Sequence, residues 1–312
     1  MINESSLLGE RYKEAGSSID TYILTRCNSY EDIVSPLFVG WEVTSRCNLN
    51  CCHCRAANND SKVKQRELST AECKLIIDQL RDQQVYVVGI TGGEPFARHD
   101  IIELIQYCKD CGLQLIIYTN ATLINDIKAR ALKRCLDKND IIHVSLDSSI
   151  AEIHNSIRGS NCYDKTINGL RYLSDQELTI RLNVVPTSIN KDTIWGLIDI
   201  AEKYNVKYLS GSPLMTIGRG KNAALVPEPK EMYELEQRIY ERMKNSGVEF
   251  EGGISGALCT MYEHRCEVIK SFPQRTAPVK RICDAGTRKL FIDAIALETV
   301  ATDFPPERSV AM

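Results

Sequence analysis

Short runs of β-branched and apolar residues recur along the chain, and between them apolar positions repeat at three- and four-residue intervals. The runs at 38–43, 85–90, 114–118, 141–146, 179–185 and 206–210 predict strands. The periodic stretches near 70–82, 100–111, 122–135, 164–174, 192–203 and 228–245 predict helices. Strand and helix thus alternate from Phe38 to about residue 250, the pattern of repeated βα units around a parallel sheet. A helix after each of six strands would curl that α/β sheet into a partial or full barrel, with ligands bound at the strands' C-terminal ends. Residues 1–36 are polar, weakly periodic and end at Pro36, so they read as a lead-in segment to a core domain over 37–250. Over 251–312 the βα rhythm stops, leaving a tail that carries Cys259, Cys266 and Cys283.

Composition narrows the class. A hydrophobic content of 43% in 312 residues can fill one large α/β core. The net charge is only −3 and the basic residues are scattered, so nothing favours a nucleic-acid partner. The opening MINESSLLGERYKEAG has no basic region followed by an apolar stretch, and no apolar run is long enough to cross a bilayer. The expectation is a cytoplasmic protein without a membrane partner. Thirteen cysteines without an export signal argue against a disulfide framework, because cytosolic thiols stay reduced and clusters of them more often hold metal or do chemistry. Four of them, Cys47, Cys51, Cys52 and Cys54, fall within eight residues.

Just after the first predicted strand, WEVTSRCNLNCCHCRA spaces Cys47, Cys51 and Cys54 by three residues and then two. Three thiolates can bind three irons of a cubane and leave the fourth iron open, and an open metal position is what catalysis needs. Cys and His in one short stretch also suit a structural zinc, but such a site usually comes as two C-x2-C pairs, and no second pair lies nearby. The C-x3-C-x2-C spacing after a first strand resembles the signature of the radical SAM superfamily. That resemblance implies a [4Fe–4S] cluster on Cys47, Cys51 and Cys54 in a partial (β/α)6 barrel. It also implies reductive cleavage of S-adenosylmethionine (SAM) to methionine and a 5′-deoxyadenosyl radical that takes a hydrogen atom from substrate. Cys52 stands outside the family's ligand pattern, and His53 reads as packing against the cluster or cofactor.

Four further segments match the same family. Gly92-Gly93-Glu94-Pro95, after the second strand, resembles the motif that receives the methionyl amino group of SAM: glycines permit close backbone approach and a carboxylate accepts charge-assisted hydrogen bonds. Thr119-Asn120-Ala121-Thr122 follows the third strand where the family carries a TNG-like turn. Here Ala121 stands for the glycine, and Asn120 either supports the SAM pocket or, like Thr122, caps a helix. Ser145 and Asp147, on one face at the end of the fourth strand, match a segment lining the pocket around ribose and carboxylate. Arg158, in Ile157-Arg158-Gly159, matches an arginine able to pair with the methionyl carboxylate. Asn183 and Pro213 fall where related enzymes contact ribose and adenine, and Arg219 in Gly218-Arg219-Gly220 reads as a substrate or anion contact or as a loop salt bridge.

The stretch from Ile157 to Leu170 and the later Cys283-Asp284-Ala285-Gly286 resemble the SPASM and twitch branch, whose members carry auxiliary Fe–S clusters in a C-terminal extension. The cysteine run that branch expects after this point is missing, so the tail reads as a truncated or degenerate twitch region in which Cys259, Cys266 and Cys283 could supply at most three ligands. The branch implies a ribosomal peptide or protein as substrate, with a haem, tetrapyrrole or other cofactor precursor as the alternative, and a flavodoxin- or ferredoxin-like reductant. From another class, the chain could be a catalytically idle Fe–S carrier or scaffold, although a carrier has no use for a SAM pocket.

Overall fold

The computed structural model describes residues 36–55, 67–251 and 289–292. The lead-in before Pro36 and Cys259, Cys266 and Cys283 lie outside the described residues.

The strands are β1 Phe38–Glu42, β2 Val87–Thr91, β3 Gln114–Thr119, β4 Ile141–Ser145, β5 Ile180–Val184, β6 Tyr208–Gly211, β7 Glu249–Glu251 and β8 Lys289–Ile292. They form one sheet in the order β7-β6-β5-β4-β3-β2-β1-β8, every pair parallel. The helices are α1 Thr70–Asp82, α2 Ile101–Asp110, α3 Asp126–Cys135, α4 Ala151–Arg158, α5 Tyr163–Asp175, α6 Leu197–Lys203 and α7 Pro229–Met243. The six strands and the helices of the expected partial barrel are in place, and two short strands extend the sheet, β7 beside β6 and β8 beside β1.

Helix boundaries follow local chemistry. Ser69 closes a capping box on α1, its hydroxyl taking the Glu72 N–H while the Glu72 carboxylate takes the Ser69 N–H at 2.8 Å. The α1 stripe of Cys73, Ile76, Ile77 and Leu80 then faces the sheet. α3 starts at Asp126 behind an Asn125 cap, which moves the expected start at 122 back by one turn and removes the capping role considered for Asn120 and Thr122.

The two faces of the sheet differ, and the difference positions the site. Val39, Trp41, Val88, Ile90, Leu115, Ile117, Ile142, Val144, Leu182 and Leu209 are fully buried in one cluster with the helices' apolar stripes. The alternate residues Glu42, Thr91, Tyr118, His143, Ser145, Arg181, Asn183, Tyr208 and Ser210 point to the concave side. A parallel sheet in a barrel is ordinarily apolar on both faces. Toward the strands' C-terminal ends this face carries convergent polar groups, while Phe38, Val87, Ile116 and Ile141 line its other end, the mixture of apolar lining and a few polar groups that a ligand site uses.

Candidate functional site

The cysteine loop leaves β1 at Val43 and is gripped on three sides. On the first, the Val43 N–H donates to the Thr91 carbonyl at 3.0 Å, Gly93 N–H to Thr44 at 2.7 Å and Glu94 N–H to Arg46 at 2.8 Å. On the second, the last carbonyls of α4, which have no partner within their own helix, accept from the loop: Ile157 from Cys52 N–H at 2.8 Å and Arg158 from Asn50 N–H at 3.2 Å. Gly159 ends α4 in the left-handed region (φ 66°), and a Cβ there would lie 2.4 Å from the Asn50 carbonyl oxygen. On the third, the Arg219 N–H donates to Cys54 at 3.0 Å and its Nε–H to the Cys51 carbonyl at 2.7 Å. Among the described residues Arg219 makes no salt bridge, and it clamps the loop backbone. Arg219→Ala is expected to cost the loop about 2 kcal/mol of local stability, read as faster hydrogen exchange at the Arg219 and Cys52 amides.

Within the loop Cys47 is exposed, Cys51 buried, and Cys52 and Cys54 half-buried, all as free thiols. Burial above all pushes the Cys47 thiol up, and the charges of Cys51, Glu94 and Cys54 add to it against the Leu49 N–H. Burial likewise raises Cys51, with the Arg158 guanidinium opposing, its Nη1 lying 3.8 Å from Sγ. The thiols sense one another, so a cation among them would favour all three thiolates together. Soft sulfur donors suit iron, and the donor set fits a cluster. Among the described residues no group of three His, Cys, Asp or Glu side chains closes into a ready-made metal site.

The carboxylate of Glu94, 1% exposed, is committed to the protein itself: it accepts from Thr119 Oγ1 at 2.7 Å, Asn120 N–H at 2.7 Å and Phe96 N–H at 3.2 Å. Burial raises its pKa and these donors, with Lys128, oppose the rise. Asn120 bridges to the cysteine loop, Nδ2 donating to Asn48 Oδ1 at 3.1 Å, while Asn48 Nδ2 donates to Thr122 Oγ1 at 2.7 Å. Ala121, where the family has glycine, keeps the left-handed backbone (φ 58°) that glycine would adopt freely.

Asp147 and Arg158 form a buried ion pair, Nε to Oδ2 2.7 Å, whose N–H is not aimed along a hydrogen-bond direction. Burial pushes the Asp147 carboxyl up, but Arg158 first, then His53 and His154, hold it below its ordinary value. Ser145 sits half-buried at the β4 end beside Asn183, whose Oδ1 accepts the hydroxyls of Ser210 and Ser212, each at 3.0 Å. His53 is lowered chiefly by burial, and its Nδ1 has no protein partner. The predicted residues from Cys47 to Arg158 therefore gather at the C-terminal edge of β1 to β4. Sequence reasoning missed the Asn48 bracket and the buried Arg98–Asp100 pair, Nε to Oδ1 2.7 Å, with Arg98 Nη1 donating to the Val43 carbonyl at 3.0 Å. Two hollows of about 440 and 640 Å³ lie elsewhere, against Tyr107 and Cys135 and against Trp195 and Arg242.

A parallel α/β half-barrel with a polar concave face and a three-thiol loop at its C-terminal rim defines a cofactor-dependent α/β enzyme class. The profile of the Radical SAM superfamily matches residues 41–203, and the chain belongs to that superfamily, whose enzymes use a [4Fe–4S] cluster and SAM. It is 29% identical over 221 residues to the AdoMet-dependent heme synthase of Methanosarcina barkeri, covering 69% of this chain and 61% of that protein. It is 35% identical over 187 residues to the mycofactocin maturase MftC of Mycolicibacterium smegmatis, covering 60% of this chain and 46% of that one. The chain thus spans about half to three-fifths of the length of these curated relatives. The crystal structure of Streptococcus suis SuiB bound to precursor peptide SuiA shares the fold, with a TM-score of 0.69 at 21% identity over 84% of this chain and 58% of that one. No helix among the described residues is long and apolar enough to cross a membrane.

Proposed function

We infer that the chain holds a [4Fe–4S] cluster on Cys47, Cys51 and Cys54, cleaves SAM reductively, and abstracts hydrogen from a ribosomal peptide or protein. The carrying observation is the three-thiol loop, pinned on three sides at the rim of the concave face. When bound, the cluster and SAM supply the electron and the 5′-deoxyadenosyl radical. The protein's part is positioning and electrostatics. Gly92, Gly93 and Glu94 serve the methionyl amino end, and Glu94 also fixes the Thr119–Asn120 turn beside it. Ser145, Asp147 and Arg158 serve the ribose and carboxylate end, and the Arg158 charge beside Cys51 favours its thiolate. The peptide substrate is supported by what MftC and SuiB are named for, a maturase and a precursor-peptide complex. A tetrapyrrole precursor is the second reading, supported by similarity to the heme synthase and, at 30% identity, to Fe-coproporphyrin III synthase. A flavodoxin- or ferredoxin-like donor belongs to either reading, and nine free thiols among the described residues suit a reducing cytoplasm.

Anaerobic reconstitution with iron and sulfide, then dithionite and SAM, is expected to release 5′-deoxyadenosine from the native chain and none from the Cys47→Ala, Cys51→Ala, Cys54→Ala triple variant. A well-formed cluster without deoxyadenosine would point to the idle Fe–S carrier. One cluster per chain is expected; two full clusters would overturn the reading of 251–312 as a degenerate tail.

A further inference from the structure

Asp147 is held at every polar group it owns. β4 ends at Ser145, and just beyond it the Leu146 N–H still reaches the Asn183 carbonyl at 3.0 Å. One residue further, the Asp147 N–H donates to His154 Nδ1 at 3.2 Å, and the Asp147 carbonyl accepts from Asn190 Nδ2 at 2.8 Å. Its Oδ1 accepts the Val185 N–H at 3.3 Å, and its Oδ2 lies 2.7 Å from Arg158 Nε. His154 and Arg158 stand four residues apart on α4, so one face of one helix takes Asp147 by its backbone and by its carboxylate.

His154 is the least ordinary of these partners. It is fully buried, and its Nε2 has no partner among the described residues. Burial first, then Arg158, with Asp147 opposing, pushes the imidazole down to about 4, so the ring is neutral near pH 7. A neutral ring has one N–H and one lone pair; with Nδ1 accepting from Asp147, the proton is on Nε2. A buried donor without an acceptor is unfavourable. An apolar side chain of similar size would avoid that penalty and still pack against Tyr163, whose ring meets the imidazole edge-on at 5.7 Å. What His154 adds over such a residue is the lone pair on Nδ1.

We propose that His154 is a positioning residue for SAM binding: by accepting the Asp147 N–H it sets how the Asp147 carboxylate leaves the strand end, and so where the Arg158 guanidinium is held. This rests on the reading that Asp147 and Arg158 serve the ribose and carboxylate end of SAM. His154 acts only through Asp147.

The test compares three substitutions at His154 in the reconstituted enzyme. Asn places an amide oxygen near the Nδ1 position, Gln places its amide near Nε2, and Leu fills the space with neither. Packing favours Leu over the smaller Asn, whereas an acceptor for Asp147 favours Asn over Leu. The readouts are amide hydrogen exchange at Asp147 without SAM, and KM against kcat for SAM in deoxyadenosine formation. His154→Asn is expected to keep native exchange and a KM within about threefold of native. His154→Gln and His154→Leu are expected to exchange faster and to raise KM about tenfold, with kcat changed less. In the native enzyme the ¹⁵N spectrum of the His154 ring, assigned by its loss in His154→Asn, should show Nε2 protonated and Nδ1 bare. A proton on Nδ1 overturns the proposal whatever the variants do. So does His154→Asn matching or falling below His154→Leu, His154→Gln alone restoring KM, or all three variants matching the native enzyme. A native KM in Asp147→Asn means instead that the reading of Asp147 as a SAM residue has failed; the exchange series, taken without SAM, still passes or fails the His154 contact by itself.

Discussion

Arg98→Leu is expected to lower the stability of the protein by about 3–5 kcal/mol at neutral pH, because it strands a carboxylate in the interior. Arg98 and Asp100 are both buried, and the pair is bidentate, Nε to Oδ1 2.7 Å and Nη2 to Oδ2 2.8 Å, with Thr70 Oγ1 adding a bond of 2.6 Å. Burial pushes the Asp100 carboxyl up, and the Arg98 and Thr70 contacts more than offset it, so it titrates below its ordinary range. A native pKa below the unfolded one means that this contribution is full above the ordinary aspartate range and is lost as pH falls through it. In Arg98→Leu only the upward push of burial remains beside Thr70, and the sign reverses: the penalty is greatest at neutral pH and shrinks on acidification. Urea midpoints at pH 7 and pH 5 measure both parts. The double variant Arg98→Leu, Asp100→Leu should recover most of the loss, since removing a whole buried pair is far cheaper than removing half. A double variant as unstable as the single one would show that packing, not stranded charge, dominates. Because Arg98 also holds the Val43 carbonyl at the root of the cysteine loop, the single variant is expected to bind less iron.

The same pair shows where the sequence was opaque. Asp100 stands one residue before α2, where an aspartate would ordinarily cap the helix, yet its side chain makes no cap bond and is spent on Arg98. Strands β1 to β6 were legible because each is an apolar run buried against helices with clear periodicity. α4 was not: it is eight residues long, has no side-chain cap, and turns His154 and Arg158 inward with Ile157, so two of its three buried residues are polar. β7 and β8, at three and four residues, are too short to show any period. The gathering of the candidate residues at one rim was legible wherever they lay in one contiguous motif. What escaped were contacts made across the chain, Arg219 to Cys51 and Asn120 to Asn48, where spacing in sequence carries no information about spacing in the fold. The row of Tyr118, His143, Arg181 and Tyr208 on the concave face escaped for another reason: each looks like an ordinary strand residue, and only the register of four strands aligns them.

Gly93→Ala is the second large effect expected, and it separates two reasons for a glycine. A Cβ at Gly93 would lie 2.2 Å from the Arg46 oxygen, 2.5 Å from its carbonyl carbon and 2.8 Å from the Ser45 oxygen, all backbone atoms that no rotamer change can withdraw. Ordinary contact starts near 3.4 Å, so the cysteine loop itself must move away from the turn. That motion pulls on the two bonds that fasten it there, Gly93 N–H to Thr44 and Glu94 N–H to Arg46. Overpacking of this kind costs about 1–3 kcal/mol, and the strained bonds add to it. Gly112→Ala is the control: its Cβ would meet nothing within 4 Å, but its φ of 75° penalises any side chain. Both variants should lose stability in urea, whereas iron bound after reconstitution and deoxyadenosine formed should fall only in Gly93→Ala. Equal iron in the two would mean that the loop tolerates displacement from its rim. A selective loss would mean that the glycine pair acts on the cluster by fixing where Cys47 begins, before SAM arrives.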